Sequence, residues 1–435
     1  MTGPFAGITV VEFGQFVVVP YCAQLLADGG ARVIKVEPLS GDSYRSGPAQ
    51  LAPGETRQFM IKNRGKESIA LDLAHPDAAA VVRRLVEAAD VVLVNLSPAA
   101  VQRRGLDHAT LSALNPALVY GSVSAYGTRG PEAGLPGMDV VVQARSGLMS
   151  SLAAEQDGVP HHSEVQASDY SSALLLLTGV VSALFVRERT GFGQRVDVSL
   201  LGGALALQNN SLGHVHGQDD WRPEFVAALA GLRRANASHA EVEQVRRRMR
   251  PDRPTHTAHY RVFRTADVDI ALGAGSPAAR RRLAALTGLD VTLAETDPDR
   301  FGSTLAGLLR ERSSAHWLDL LREQDVPVAL VRHVDEMLFD PQVVAEELVA
   351  DYDHPVVGRY RALASPIRLS ATPMDRRQAS PSFAADTCAV LSGLGFDADA
   401  VAGLLAGGAV AARPPTPERE PALTDLHATT SPRSP

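Results

Sequence analysis

The sequence predicts a doubly wound α/β domain accompanied by a smaller α+β domain. Three observations predict it. Short β-branched runs alternate with helical patterns through the first half of the chain, the character changes after residue 207, and a second compact pattern begins near residue 260. Such alternation implies a parallel sheet covered on both faces, because parallel neighbours must be joined by a crossover, usually a helix.

Ile8 to Phe13 reads as the first strand, Pro20 to Asp28 as a helix, Arg32 to Glu37 as a strand and Asp77 to Ala88 as a helix. Asp90 to Val94 is a strand, Pro98 to Arg104 a helix and Leu118 to Ser124 a strand, and Arg195 to Ser199 with the small-residue run Leu200 to Leu207 completes the first part, residues 1–207. Ligands in such sheets bind beyond the carboxyl ends of the strands. The loops after Phe13, Glu37, Val94 and Ser124 are therefore where a site is expected.

Residues 208–255 read as a linker with a basic helix from Ser238, where Ser238 and Glu241 have capping-box spacing. Arg246, Arg247, Arg248 and Arg250 read as a solvated face. Strands at Tyr260 to Phe263 and Val268 to Leu272, with helices at Pro277 to Leu289 and Trp317 to Gln324, define a small domain over 256–330. Residues 331–410 return to mixed strand and helix, and 411–435, rich in Pro, Thr and Ser, are expected to be disordered.

With 435 residues, 45% of them hydrophobic, the chain can bury a large core, and a net charge of -7 argues against a general nucleic-acid or membrane-surface binder. Small-molecule chemistry is favoured. Cys22 and Cys388 stand far apart, so neither a disulfide framework nor a metal site is implied. The start of the chain lacks the basic segment and apolar run of a signal peptide, and a cytoplasmic location is expected. The apolar run Ala173 to Val186 is shorter than the roughly 20 residues of a spanning helix and reads as a buried core helix.

Common catalytic templates are absent. The first strand is followed by FGQFVVVP rather than a glycine-rich dinucleotide turn, and there is no Walker loop, no G-x-S-x-G elbow and no H-E-x-x-H. His161 and His162 are adjacent and cannot share a helix face. What remains is Asp169, just ahead of the apolar run. A carboxylate there is either a helix cap or a nucleophile; position alone favours the cap.

The order of motifs changes that balance. Along the chain come GITVVEF (7–13) with PYCAQLLAD (20–28), GARVIKVEP (30–38), Gly41-Asp42 with Arg45, NRGK (63–66), ADVVLVN (89–95) and RRGL (103–106). They continue with NPALVY (115–120), SAYG (124–127), Gly130-Pro131, PGMD (136–139), QARSG (143–147), TGFGQ (190–194), DPQ (340–342), DHP (353–355) and SPIRLS (365–370). From Gly7 to about Leu405 this order resembles the class III coenzyme A transferases, the family of formyl-CoA transferase and the carnitine and bile-acid CoA-transferases.

The resemblance implies that Asp169 is the covalent nucleophile, exchanging CoA through an anhydride and an aspartyl-CoA thioester. It implies that CoA is a substrate, with no permanently bound cofactor and no metal, flavin or nicotinamide. Val17 and Val18 would border the pantetheine, and Leu71, Asp72, Leu73 and Ala74 the adenine. Asn95, Leu96 and Ser97 would form the next loop, Arg103 would meet a phosphate, and Gly137, Met138 and Asp139 would close the pocket near Asp169. It further implies a large Rossmann-like domain built from both chain ends and an interlocked homodimer.

Two departures bear on the substrate, and one on the reaction. Val17, Val18 and Val19 stand where the family often has small residues, which disfavours formate or oxalate and points to a larger, more apolar acid. No glycine-rich loop occupies 208–259. Met138 stands where the racemase branch carries a basic His and cannot take a proton. An acyl-CoA racemase or isomerase and a catalytically silent CoA-binding protein, its pocket blocked by the valines, are the alternatives.

Overall fold

The computed structural model describes residues 3–47, 49–152, 155, 156, 158–250, 258–374 and 378–413. The chain divides into two compact units, Met1–Gly213 with Gln342–Pro435, and His214–Pro341.

The first unit is built on a mostly parallel sheet. Its strands are β1 (Thr9–Phe13), β2 (Arg32–Glu37), β3 (Glu67–Leu71), β4 (Val91–Val94), β5 (Val119–Ser124) and β6 (Arg195–Ser199). Their spatial order is β6-β5-β4-β1-β2-β3, all parallel, with the two-residue strand Val410–Ala411 added antiparallel to β3. That last strand places residues 410 and 411 in the sheet, a correction to the expected start of a disordered tail; residues 414–435 of the tail lie outside the described residues. The chain runs outward from β1 through β2 to β3, then returns beside β1 and runs the other way. The switch point thus falls between β1 and β4.

Burial follows from the strand period. Val10, Val33, Val91, Leu93 and Val119 face one core with α1 (Val18–Asp28) and α6 (Ala167–Thr190), whereas Val11, Ile34, Val92, Val94 and Tyr120 face the other. The second face is covered in part by α2 (Ala78–Glu87). Strands buried on both faces read as continuous apolar runs, as VVLV does in β4.

The helix α6 departs from expectation. It spans 24 residues, because polar residues extend the apolar run at both ends, and it is long and apolar enough by length and composition to cross a membrane. Nor is it wholly buried: Ala173, Leu176, Val180 and Leu184 enter the core while Leu174, Leu175, Val181, Phe185 and Val186 are exposed. Its buried face meets α1, β5 and the small-residue helix α7 (Leu200–Leu207). Close approach to α7 requires Gly203, where a Cβ would lie 2.2 Å from Ser172 Oγ.

The second unit has a three-stranded antiparallel sheet of Tyr260–Arg264, Asp269–Gly273 and Val328–Leu330. Phe263, Ile270, Leu283, Phe301, Leu305, Trp317 and Leu321 form its core. Helix His239–Met249 begins with the capping box of Ser238 and Glu241 that the spacing predicts. The helix packs on Trp221–Arg234, and both lie in the unit His214–Pro341.

Candidate active site

At the switch point the loops after β1 and β4 are tied together. Asn95 accepts from the Gln15 amide at 3.0 Å and donates to the Gln15 carbonyl at 2.8 Å. Between them Phe16 is held at φ 67°, a left-handed conformation uncommon for a bulky side chain. A buried ion network supports this loop from beneath. Glu12 bridges Lys35 at 2.8 Å and Lys66 at 2.7 Å, and Lys35 also reaches Asp42 at 2.9 Å and the Gly14 carbonyl at 2.8 Å. The opposite charges balance, which a buried cluster requires.

Asp169 does not cap its helix. Gln166 holds the N-cap position without a side-chain bond, and Asp169 lies in the first turn. The cap comes from Asp139, the first residue of α5 (Asp139–Arg145): its Oδ1 accepts from the amides of Ser168 at 2.9 Å and Asp169 at 3.2 Å. Gln143 fixes Asp139 by donating to Oδ2 at 2.5 Å, while its own oxygen accepts from the Ser163 amide at 2.9 Å. With the amides taken by Asp139, the Asp169 carboxylate accepts no hydrogen bond from the described residues.

Burial, with the like charge of Asp139 beside it and Lys62 opposing, pushes the Asp169 carboxyl up to about 7. Lys62 is itself buried. Burial lowers its ammonium to about 8 against the pull of Asp169 and Asp42. Its Nζ donates to Gln58 Oε1 at 3.0 Å and lies 5.1 Å from the centre of the Tyr44 ring, whose hydroxyl accepts from Gln166 at 3.3 Å. Lys62 and Tyr44 were not singled out from the sequence. The one local signal for Lys62 is that it immediately precedes NRGK.

Asp169 lines a cavity of about 500 Å³ together with Val17, Val18, Asn95, Leu96, Ser97, Gly137, Met138 and Asp139. Every sequence-selected residue of those loops meets there, and the buried valines leave the space open. Gly137 has a steric reason: a Cβ would lie 2.5 Å from that of Ala125. Leu71, Asp72 and Leu73 line a second cavity of about 170 Å³, which shares Leu96 with the first. Ala74 and Arg103 line neither cavity. Arg104 lines the second, because Ala100 and Arg104, four residues apart, are neighbours on one helical face. Among the described residues no cluster of His, Cys, Asp and Glu has the makings of a metal site.

Comparison with known proteins identifies the family of the chain. The family model described as CoA-transferase family III matches residues 5–387. Succinate–glutarate CoA-transferase of Agrobacterium fabrum is 32% identical over 90% of this chain and 96% of its own. Acetyl-CoA:oxalate CoA-transferase of Acetobacter aceti is 31% identical over 80% and 85%. A probable fatty acyl-CoA transferase of Mycobacterium tuberculosis is 31% identical over 79% and 86%. A crystal structure of a mutant of that mycobacterial protein superposes with a TM-score of 0.74 at 26% identity, covering 90% of this chain and 99% of its own. The chain belongs to CoA-transferase family III and is a transferase of the CoA-thioester class.

Proposed function

We propose that the protein moves CoA from an acyl-CoA donor to a carboxylic acid larger and more apolar than formate or oxalate, with Asp169 as the covalent nucleophile. The observation that carries this is the Asp169 carboxylate, buried, free of hydrogen bonds to the described residues and lining the large cavity. Its oxygen attacks the thioester carbonyl, the C–S bond breaks, and an anhydride and CoA thiolate result. The thiolate then attacks the Asp169 carboxyl carbon, releasing the donor acid and leaving an aspartyl-CoA thioester. The acceptor carboxylate attacks that thioester, thiolate leaves again, and its return to the acceptor's carbonyl frees Asp169. No net proton is exchanged. Each step replaces one difficult exchange by an easier one.

The surroundings favour this reading. The amides of Val18 and Val19 open α1 without an acceptor among the described residues, and Val17 and Val18 line the cavity; such amides suit a developing oxyanion. Apolar walls limit hydrolysis of the anhydride. The pantetheine passes Val17, Val18 and Asn95, and the nucleotide takes the second cavity beside Leu71, Asp72 and Leu73. Arg104, which lines that cavity beside Ala100, is positioned to meet a phosphate there. We infer a cytoplasmic enzyme that works as an interlocked homodimer, a state supported by the exposed apolar stripe of α6.

Hydroxylamine trapping after addition of an acyl-CoA, with mass spectrometry of the protein, tests the nucleophile. A modified Asp169 is expected. Unchanged CoA exchange in Asp169→Asn would sink the proposal, and deuterium uptake at the acyl α-carbon would move the reading to an isomerase.

A further inference from the structure

The chain carries its positive charge almost wholly on arginine. Lys35, Lys62 and Lys66 are its only lysines, and all three are buried. Two of them have carboxylate partners, since Lys35 pairs with Glu12 and Asp42 and Lys66 pairs with Glu12. Lys62 forms no ion pair among the described residues, and its Nζ donates only to Gln58 Oε1, at 3.0 Å. A buried ammonium with spare donors and no anion in contact is costly, and it calls for one.

The side chains around Lys62 tie it to the nucleophile's helix. Thr56 holds the turn before Lys62 against Tyr44: its hydroxyl donates to the Tyr44 carbonyl at 2.6 Å and accepts from the Phe59 amide at 3.2 Å. The Lys62 Nζ lies 5.1 Å from the centre of the Tyr44 ring, and that ring meets Phe16, a wall of the large cavity, edge-on at 5.5 Å. The Tyr44 hydroxyl accepts from Gln166, which stands at the head of α6 three positions before Asp169. Of the acids nearby, Asp42 is in contact with Lys35, and Asp139 is engaged by Gln143 and by the Ser168 and Asp169 amides. Asp169 is left as the carboxylate on which Lys62 acts, and each shifts the other's titration.

Asp169 is an anion for only part of the cycle proposed above. As an aspartyl-CoA thioester it is neutral, and the charge has passed to the acid that has just left or is about to enter. We propose that Lys62 is the counter-ion of the reacting carboxylate throughout: it balances Asp169 in the free enzyme and binds the substrate acid once Asp169 carries CoA. The inference rests on Asp169 as the nucleophile. Asp139 would repel an entering acid, and Lys62 offsets it at the moment when the charge of Asp169 is masked. Tyr44, half-buried between Phe16 and Lys62, positions the ammonium.

Asp169→Asn reproduces the uncharged state of that position. With CoA present at pH 6, where hexanoate and the buried ammonium are both charged, isothermal titration of this full-length variant should show hexanoate bound more tightly than its neutral isostere hexanamide. Adding Lys62→Met should lower the ratio of the two affinities about tenfold or more, as loss of a hydrogen bond to a charged group predicts. Because it is a ratio, a general loss of binding cancels. An unchanged ratio, or no preference for hexanoate before Lys62 is replaced, overturns the proposal. Should Lys62→Met not fold, Lys62→Gln takes its place, and the preference of Asp169→Asn for hexanoate still decides. With Asp169 intact, the adduct formed from hexanoyl-CoA should be discharged by hexanoate about tenfold or more slowly in Lys62→Met, whereas discharge by hydroxylamine, neutral at pH 8, should change far less. Equal slowing of both would reduce Lys62 to a structural role. A Lys62-dependent preference for hexanoate without a hydroxylamine-sensitive adduct on Asp169 would leave the counter-ion standing and overturn the covalent mechanism instead.

Discussion

As the proposed nucleophile, Asp169 must be anionic to attack, yet burial and Asp139 both resist its charge. With its carboxyl titrating at about 7, the nucleophile is protonated below that pH and ionised above it. The value of kcat/KM should therefore rise with pH and level off beyond about 7. Asp139→Asn keeps an oxygen for the Ser168 and Asp169 amides but removes the like charge, so the rising limb should move to lower pH by about one unit. Lys62→Met should move it the other way. Pre-steady-state acyl transfer across pH checks both, and a limb unmoved in both variants would detach it from Asp169. The same shift makes a stability statement. A carboxyl whose folded value is raised from 3.8 to about 7 contributes stability that is fully present below 3.8 and lost as pH climbs through 7. At pH 8 the wild type bears that loss, and Asp169→Asn should be more stable by about 2 to 4 kcal/mol in urea unfolding, with the gain shrinking toward pH 4. The raised value of Asp169 was not legible in the sequence. Asp139 and Asp169 are 30 positions apart, and only the fold sets the two carboxylates side by side.

Local signals survived best at the scale of elements. The strands Arg32–Glu37 and Val119–Ser124 and the capping box at Ser238 depend on neighbours in sequence, and the structure has them where pattern and spacing place them. The start of α6 depends on a cap delivered from another helix, so residue order could only suggest that Asp169 capped itself. Adjacent positions point about 100° apart on a helix, and at the end of α3 (Pro98–Arg103) it is Arg104, not Arg103, that lines the second cavity. Three substitutions test the junction that holds Asp169. Asp139→Ala removes the cap and should cost about 1 kcal/mol, whereas Asp139→Asn should cost less. Gly137→Ala forces a Cβ to 2.5 Å from Ala125, so thermal or urea unfolding should show a loss of about 1 to 3 kcal/mol together with a fall in kcat/KM. A Gly137→Ala protein as stable and active as wild type would mean that the turn into α5 yields freely.

At the scale of the molecule, strand order was not readable from the sequence, because every β-branched run is compatible with several neighbours. It is that order which places the switch point between β1 and β4 and so joins Gln15 to Asn95. The core accounts for only one side of α6. On the other, Leu174, Val181 and Phe185 recur at helical spacing and expose 49%, 37% and 58% of their surface, with Leu175 and Val186 beside them. A stripe of that kind on an otherwise well-buried unit is the mark of an interface. In the proposed interlocked dimer it is covered by the second copy, and separation would require unthreading as well as exposing the stripe. Dissociation should then be far slower than for two surfaces that merely touch. Mass photometry at nanomolar concentration, hours after dilution, should still find the mass of two chains. Phe185→Glu, which buries a charge if the stripe is covered, should reduce the dimer yield on refolding. Folded monomers of the wild type appearing promptly on dilution would remove the interlocked arrangement and leave α6 with an apolar face in need of another partner.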